Sequence, residues 1–500
     1  MKKAVIFLIV ITIVSKITGL FRDVTLSFFY GASYISDAYI ISMTIAIALF
    51  DVVVTGVITG FIPIYKEIEE KKGQEEARAF SGNLLNIVLL LGLVIVIVAQ
   101  IFTKQIVLVF ASGFSGEVLE LAIAFTRISL LSIFFVGILY LLQGFLQAKE
   151  RFYVHAFIGI PYNIVIIFFI WLSSIYSIYL LVWGEIVGVF LQVLILFIFA
   201  RKHGFKIRLG ILFKNEYVKK MLYLSLPVII GVSTHQINIL IDRTLASNII
   251  EGGISALNYA DKVNLIIQGV FVLTMSTVLF PAISKMAVMS DKLGLKQSFE
   301  TAINAINIIV IPLSIYLMIY SEDIVMLLFG RGAFDEQAVQ LTQLALFGYS
   351  FGILGFAYRE IVSRFYFAFQ DTKTPMYNSL IAIAINIVLN FILSYYLGIL
   401  GLALATSISV IVAASLLLKG IRRKIPGIRY THIYQNTLKI LIATLGMVVL
   451  GRLFYSRLEA VVSNEVNLIT ISILSFILYL AFVQLLKIYD FREFKLKRNG

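Results

Sequence analysis

FASGFSGEVLEL (110–121) returns about 220 residues later as FGRGAFDEQAVQL (329–341). Each copy is a glycine-rich loop that runs into an amphipathic helix. Three further anchors repeat in the same order. GFIPIYKEI (60–68) matches LFPAISKMA (279–287), where Pro63 and Pro281 are each expected to close an apolar helix. Tyr39 in SDAYIIS (36–42) matches Tyr259 in LNYADK (257–262). QGFLQAKERF (143–152) matches SRFYFAFQDTKTP (363–375), and each is followed by an Asn-Ile-Val helix, at Asn163 and Asn386. A chain that writes one pattern twice is built as two similar halves.

Both halves are written in membrane-spanning helices. The composition is 60% hydrophobic and only 14% charged, with a mean hydropathy of +0.97. A soluble domain carries roughly a quarter charged residues. Apolar runs of about 20 residues, each enough to cross about 30 Å of hydrocarbon, centre near 12, 48, 92, 133, 165, 188, 232, 269, 310, 350, 386, 409, 446 and 476. The expected fold is therefore an all-α integral membrane protein of about fourteen spans. Residues 1–205 hold spans 1–6 as a first lobe, 206–425 hold spans 7–12 as a second, and 426–500 hold an appended pair, spans 13–14, with a tail. The first span runs on into SKITGLFRD, so it is read as retained rather than as a cleaved signal. Six spans per repeat give both lobes the same orientation, as in carriers whose halves are related by an axis along the membrane normal, with a site near the midplane.

The net charge of +13 does not point to nucleic acid. Lys and Arg concentrate in alternate loops: 66–78, 201–220, 419–429 and the tail 487–500. The positive-inside rule then places both termini in the cytoplasm. With no cysteine there is no disulfide or thiolate to consider. No P-loop, Gly-x-Ser-x-Gly or metal-ligand spacing appears, so the chain reads as a carrier and not an enzyme. Without an ATP site, uphill work would fall to an ion gradient or the membrane potential.

Ionisable residues inside spans are expensive and are functional candidates by default. Lys16, Arg22, Asp23 and Asp37 fall on or beside the first span, and Asp242 and Arg243 on the seventh. Asp261 and Lys262 lie on the eighth, and Arg359, Glu360 and Arg364 on the tenth. Asp51, Arg127 and Glu185 are isolated intrusions. A cavity lined by a few spans would produce this distribution. Plainer readings exist: Arg22-Asp23 and Asp242-Arg243 as pairs snorkelling at a helix end, Arg364 as a cytoplasmic cation, Asp51 and Glu185 as packed carboxylates. Lys16 and Lys262 are harder to place against lipid. Asn386 and Asn390 share a face of span 11. With Thr406 and Asp242 they would offer oxygen ligands to a hard cation; the alternative is that the asparagines tie helices together.

SKITGLFRD (15–23), FYGASYISDAYIIS (29–42) and GFIPIYKE (60–67) resemble the opening of the MurJ/MviN lipid II flippases. LNYADKVN (257–264), VLFPAISK (278–285) and FAFQDTKTP (367–375) extend the resemblance over spans 1–12. It implies a V-shaped, two-lobed, monomeric carrier that moves undecaprenyl-diphosphate-linked peptidoglycan precursor from the inner to the outer leaflet. By position it implies substrate contacts at Lys16, Arg22, Asp37, Asp261, Lys262, Arg243 and Arg364, and a sodium site at Asp242, Asn386, Asn390 and Thr406, with no other cofactor. A departure stands in IALFDVVVTGVITGFIP (47–63), which has Leu49, Phe50 and Thr55 where such proteins carry basic residues and an acidic one. The alternatives are a flippase for another polyprenyl-diphosphate-linked oligosaccharide and a cation-coupled small-molecule exporter.

Overall fold

The computed structural model describes residues 2–206, 216–458 and 463–488. The middle of the 201–220 basic loop and the tail from 489 lie outside the described residues, as do the side chains of Lys2 and Lys3. The described residues form helices α1 (Lys2–Tyr30), α2 (Tyr34–Lys72), α3 (Gln74–Ile101), α4 (Thr103–Phe110), α5 (Gly116–Ser129), α6 (Ser132–Ala148), α7 (Phe152–Phe157), α8 (Gly159–Ile175), α9 (Leu180–Lys202) and α10 (Glu216–Ile249). Next come α11 (Gly253–Ile267), a π-helical turn (Gln268–Leu273), α12 (Thr274–Val288), α13 (Lys292–Ile319), α14 (Ser321–Phe329), α15 (Glu336–Ser350) and α16 (Ile353–Ala368). The last three are α17 (Lys373–Ile421), α18 (Tyr430–Leu458) and α19 (Asn464–Leu485).

A helix covers each of the fourteen predicted centres, the one near 269 being the π-helical turn. Among the described residues eight helices are long and apolar enough to cross a membrane, and up to eleven if each bent pair is one span. Helices satisfy their own backbone groups, which is why hydrocarbon selects them. Within α17 the chain breaks at Gly398, whose φ of 57° and ψ of −130° are non-helical. A side chain would be strained there, so glycine lets one long helix become two spans.

The repeat is written in the backbone as well. The α5–α6 bend of 42° has its counterpart in the α15–α16 bend of 40°. Glu150 and Gln370, at matching turns, both take a left-handed φ, near 60°. Around them the hydrogen bonds match: Arg151 N to Leu146 O and Asp371 N to Tyr366 O, both 2.9 Å. This pattern closes a helix by returning an orphan amide to the previous turn. Gly31 with Gly252, and Gly204 with Gly427, repeat the same left-handed backbone. Pro63 and Pro281 do not end helices as expected; α2 continues to Lys72 and α12 to Val288. Proline removes one helical bond, but packing carries α2 through it: Phe61 and Tyr65 are buried on either side, Phe61 stacked on Phe80 and Tyr65 edge-on to Phe145.

Two compact units are present. The first joins Met1–Ser255 with Arg331–Ala338; the second joins Ala256–Gly330 with Val339–Gly500. In the first, α10 packs along α2, α1 lies against α8, and α9 lies against α6 and α8. Its core is aromatic and aliphatic, with Phe50, Phe61, Tyr65, Phe80 and Phe145 buried together. Within this unit the two glycine loops dock alike. Ala333 N donates to Phe28 O at 2.8 Å on the end of α1. Gly113 N donates to Ser247 Oγ at 3.1 Å on the end of α10, where Thr244 Oγ1 also donates to Val109 O at 2.7 Å. In the second unit α16 packs on α17, α12 and α13, and α18 packs on α13 and α19.

Candidate functional site

In the first unit the site begins with how α1 is set. Ser15, Thr18 and Gly19 recur at helical spacing and face α8. Asn163 Nδ2 donates to Ser15 O at 3.2 Å and to Thr18 Oγ1 at 3.1 Å. Gly159 leaves room for Ser15, and Gly19 lies against Asn163. Small residues bring the two backbones close, and the amide bonds them. This seam fixes the rotation of α1. It leaves Lys16 half-buried within a span, with no hydrogen bond or ion pair among the described residues.

Arg22 lies two turns further on. Its Nε and Nη2 donate to Asp23 Oδ1 at 3.1 and 2.9 Å. Tyr39 of α2, Tyr162 of α8 and Glu185 of α9 surround it within electrostatic range. Tyr162 Oη donates to Glu185 Oε1 at 2.5 Å. Lower on α2, Asp51 accepts from Thr55 Oγ1 at 2.9 Å and from Gln236 Nε2 of α10 at 3.0 Å.

Asp37 has a different setting. It is 1% exposed, and both oxygens are occupied: Gly252 N donates to Oδ2 at 2.8 Å and Ser255 N to Oδ1 at 2.7 Å. A carboxylate at the first turn of α11 satisfies orphan amides and complements the helix dipole. Arg243 Nη1 donates to Ile254 O at 3.0 Å in the same turn. Asp37 and Arg243 therefore clamp the α10–α11 connection. Neither makes a hydrogen bond or ion pair with Lys16 or Arg22 among the described residues. Asp242 is half-buried on α10. Arg127 is exposed at the end of α5.

In the second unit Asp261 and Lys262 are half-buried on α11, two and three residues beyond the buried Tyr259, which packs on Phe329 with ring centres 5.2 Å apart. Lys262, like Lys16, has no hydrogen bond or ion pair among the described residues. Arg364 is engaged. Its Nε donates to Ser276 Oγ at 2.7 Å and its Nη2 to Glu360 Oε1 at 2.5 Å, while Ser276 Oγ donates to Glu360 at 3.1 Å. Arg359, one helical turn earlier, is half-buried and lies over Phe356 at 5.3 Å.

Asn386, Asn390 and Thr406 do come together. Asn390 Nδ2 donates to Asn386 Oδ1 at 3.0 Å, and Asn386 Nδ2 to Thr406 Oγ1 at 3.4 Å. The second of these bonds joins the two halves of α17 across Gly398. Asp242 belongs to the first compact unit and the other three to the second. Among the described residues no three His, Asp or Glu side chains group as a metal site.

Sequence reading missed Tyr162, Gln236 and Ser276 as members of these clusters. Tyr162 carried a signal, since it precedes Asn163 in an otherwise apolar run. Gln236 and Ser276 carried none, because uncharged polar residues are common in spans.

Outside the spans, Asp371 sits in the turn after α16. Burial pushes its carboxyl up, but the Thr374 amide, Lys424 and the Thr374 hydroxyl outweigh this and hold it at about 2. Lys424 Nζ lies 2.9 Å from it. At the matching turn of the first repeat Lys149 pairs with Glu69.

Comparison with known proteins adds the rest. A family model described as lipid II flippase MurJ matches residues 26–487. A probable lipid II flippase MurJ from Buchnera aphidicola subsp. Acyrthosiphon pisum is 29% identical over 455 residues, covering 90% of this chain and 89% of that protein. A solved lipid II flippase MurJ in an inward closed conformation superposes with a TM-score of 0.82 at 28% identity, covering 96% of this chain and 98% of the other. An inward-facing multidrug-resistance transporter of the MATE family shares the fold, with a TM-score of 0.71 at 15% identity over 83% of this chain and 96% of its own.

Proposed function

Because the chain belongs to the lipid II flippase MurJ family, we propose that it carries lipid-linked peptidoglycan precursor from the inner to the outer leaflet of a bacterial cell membrane. It is a multi-pass membrane protein, and the alternate basic loops support cytoplasmic termini. The observation that carries the substrate reading is the pair of unengaged lysines. Lys16 and Lys262 sit inside spans, half-buried, with no counter-ion among the described residues. A cation held this way is costly unless an anion visits it. A diphosphate head is such an anion and takes charge-assisted bonds from more than one cation. Arg22 and Arg359 are the next candidates, Arg22 by exchanging Asp23 for phosphate.

Translocation would proceed by alternating access, with the charged head passing inside and the polyprenyl tail remaining in lipid. The coupling ion in this reading is sodium, held through the oxygens of Asn386, Asn390 and Thr406. This donor chemistry suits a hard monovalent cation. Sodium removal should slow transport, and Asn386→Ala should abolish that dependence.

A second reading rests on Phe50. It is buried and packs against Gly92 and Gly137, so mid-α2 presents apolar core where a further phosphate ligand would stand. This favours a different polyprenyl-linked glycan. Complementation separates the two. In cells depleted of their own lipid II flippase, the wild-type chain should restore growth, and Lys16→Ala, Arg22→Ala and Lys262→Ala should not, at equal membrane abundance. Full rescue by all three variants would sink the cavity reading. A well-expressed wild type that fails to rescue would move the assignment to the second glycan.

A further inference from the structure

The cluster around Arg22 is one positive charge short. Glu185 sits on α9, 6% exposed. Its Oε1 takes the Tyr162 hydroxyl at 2.5 Å. Its Oε2 is fully buried and has no hydrogen-bond partner among the described residues. The nearest cation is Arg22, but Arg22 directs both Nε and Nη2 to Asp23 Oδ1. Two carboxylates therefore share one guanidinium. If Arg22 turned to Glu185 instead, Asp23, which is 5% exposed, would be left in the same position. The groups around Glu185 come from three helices: α1 supplies Arg22 and Asp23, α2 supplies Tyr39, and α8 supplies Tyr162. The α5 and α6 helices bring no charged group within range of Glu185 among the described residues. The two tyrosines are neutral hydroxyls.

A bare carboxylate oxygen in a span costs several kcal/mol, and a buried group in that position ordinarily neutralises. We propose that Glu185 carries a proton in the folded protein at neutral pH, taken from water onto Oε2. Oε1 then acts as the acid's carbonyl, accepting from Tyr162. The side chain of Arg22 is 23% exposed, which gives the cluster an edge through which that proton exchanges. The first unit thus holds a neutral, exchangeable carboxyl proton in the membrane interior, independent of the asparagine site and of the substrate.

Infrared difference spectroscopy on the purified full chain tests this without any transport assay. Wild type minus Glu185→Gln at neutral pH should show the loss of one protonated-carboxyl C=O band. Other carboxyl groups are common to both proteins and cancel. Tyr162→Phe should move that band to higher frequency, because the carbonyl loses its donor. Loss of a carboxylate band instead, from a glutamate ionised against a trapped water or cation, overturns the proposal. If Glu185→Gln does not fold, Tyr162→Phe decides alone: an upward shift supports the proton, and no shift rejects it.

Discussion

Arg364 on α16 and Lys16 on α1 are both cations in or near an apolar span, the first readable from sequence as a cytoplasmic cation and the second hard to place against lipid. Arg364 is fully engaged, by Ser276 at 2.7 Å and Glu360 at 2.5 Å. Lys16 has no such partner among the described residues, although Asn163 binds its neighbours Ser15 and Thr18. The difference separates two uses of intramembrane charge. A paired arginine spends its hydrogen bonds holding α16 to α12. A lysine set by a seam, yet left without a counter-ion among the described residues, has those bonds to offer, as the proposed diphosphate contact requires. Asp37, with both oxygens on backbone amides, falls with Arg364.

Substitution should split the two classes cleanly. Asp37→Ala should have the largest effect on the fold. It removes two charge-assisted bonds from a buried turn, each worth about 1.5–3 kcal/mol, so thermal stability in detergent should drop and membrane abundance fall with it. A stable Asp37→Ala that loses only transport would move Asp37 to the Lys16 class. Lys16→Ala should do the reverse. Loss of one charge-assisted contact to a phosphate, about 1.5–3 kcal/mol, corresponds to roughly ten- to hundredfold weaker binding, while the unfolding temperature stays at the wild-type value. Lys16→Arg should keep most transport. Arg364→Ala comes next. It leaves the half-buried Glu360 unpaired, at a cost of about 1–3 kcal/mol, and Arg364→Ala with Glu360→Gln should recover part of that loss. No recovery in the double variant would mean that Arg364 acts on substrate rather than on Glu360.

The class and the repeat were legible because they depend on local pattern. Apolar runs forecast a helix at every centre from α1 to α19, and the paired loops forecast α5 and α15. Short helices escaped: α4 and α14, of 8 and 9 residues, are too brief to register as spans. Pro63 misled because a proline stops an isolated helix but not one clamped by Phe61, Tyr65 and Phe80. The sorting of charges was legible only where partners are close in the chain, as for Arg22 and Asp23. Asp37 meets Gly252 and Ser255 more than two hundred residues away, and nothing near Asp37 in the chain announces that its oxygens are taken. Glu360 and Arg364 lie one turn apart, a spacing that suggests a pair, yet Ser276 completes the set from another helix.

The smallest effect belongs to the turn after α16, and it tests the same distinction outside the membrane. Asp371 is held at about 2 by the Thr374 amide and hydroxyl and by Lys424, against the opposing push of burial. Its carboxyl therefore prefers to be ionised in the folded state. The stability it contributes is complete above the ordinary aspartate value near 4 and is lost as pH falls toward 2. Unfolding followed from pH 6 to pH 2 should show an acid-side decline that Asp371→Asn makes shallower, with the two proteins converging at the acid end. Transport measured near neutral pH should change little in Asp371→Asn, since Asp371 holds a helix end and bonds to Thr374 and Lys424 rather than to Lys16 or Lys262. A variant that kept the wild-type acid decline would show that the Lys424 pair is too solvated to matter. A variant that instead lost transport near neutral pH would put this turn, and its counterpart at Lys149 and Glu69, among the parts that move.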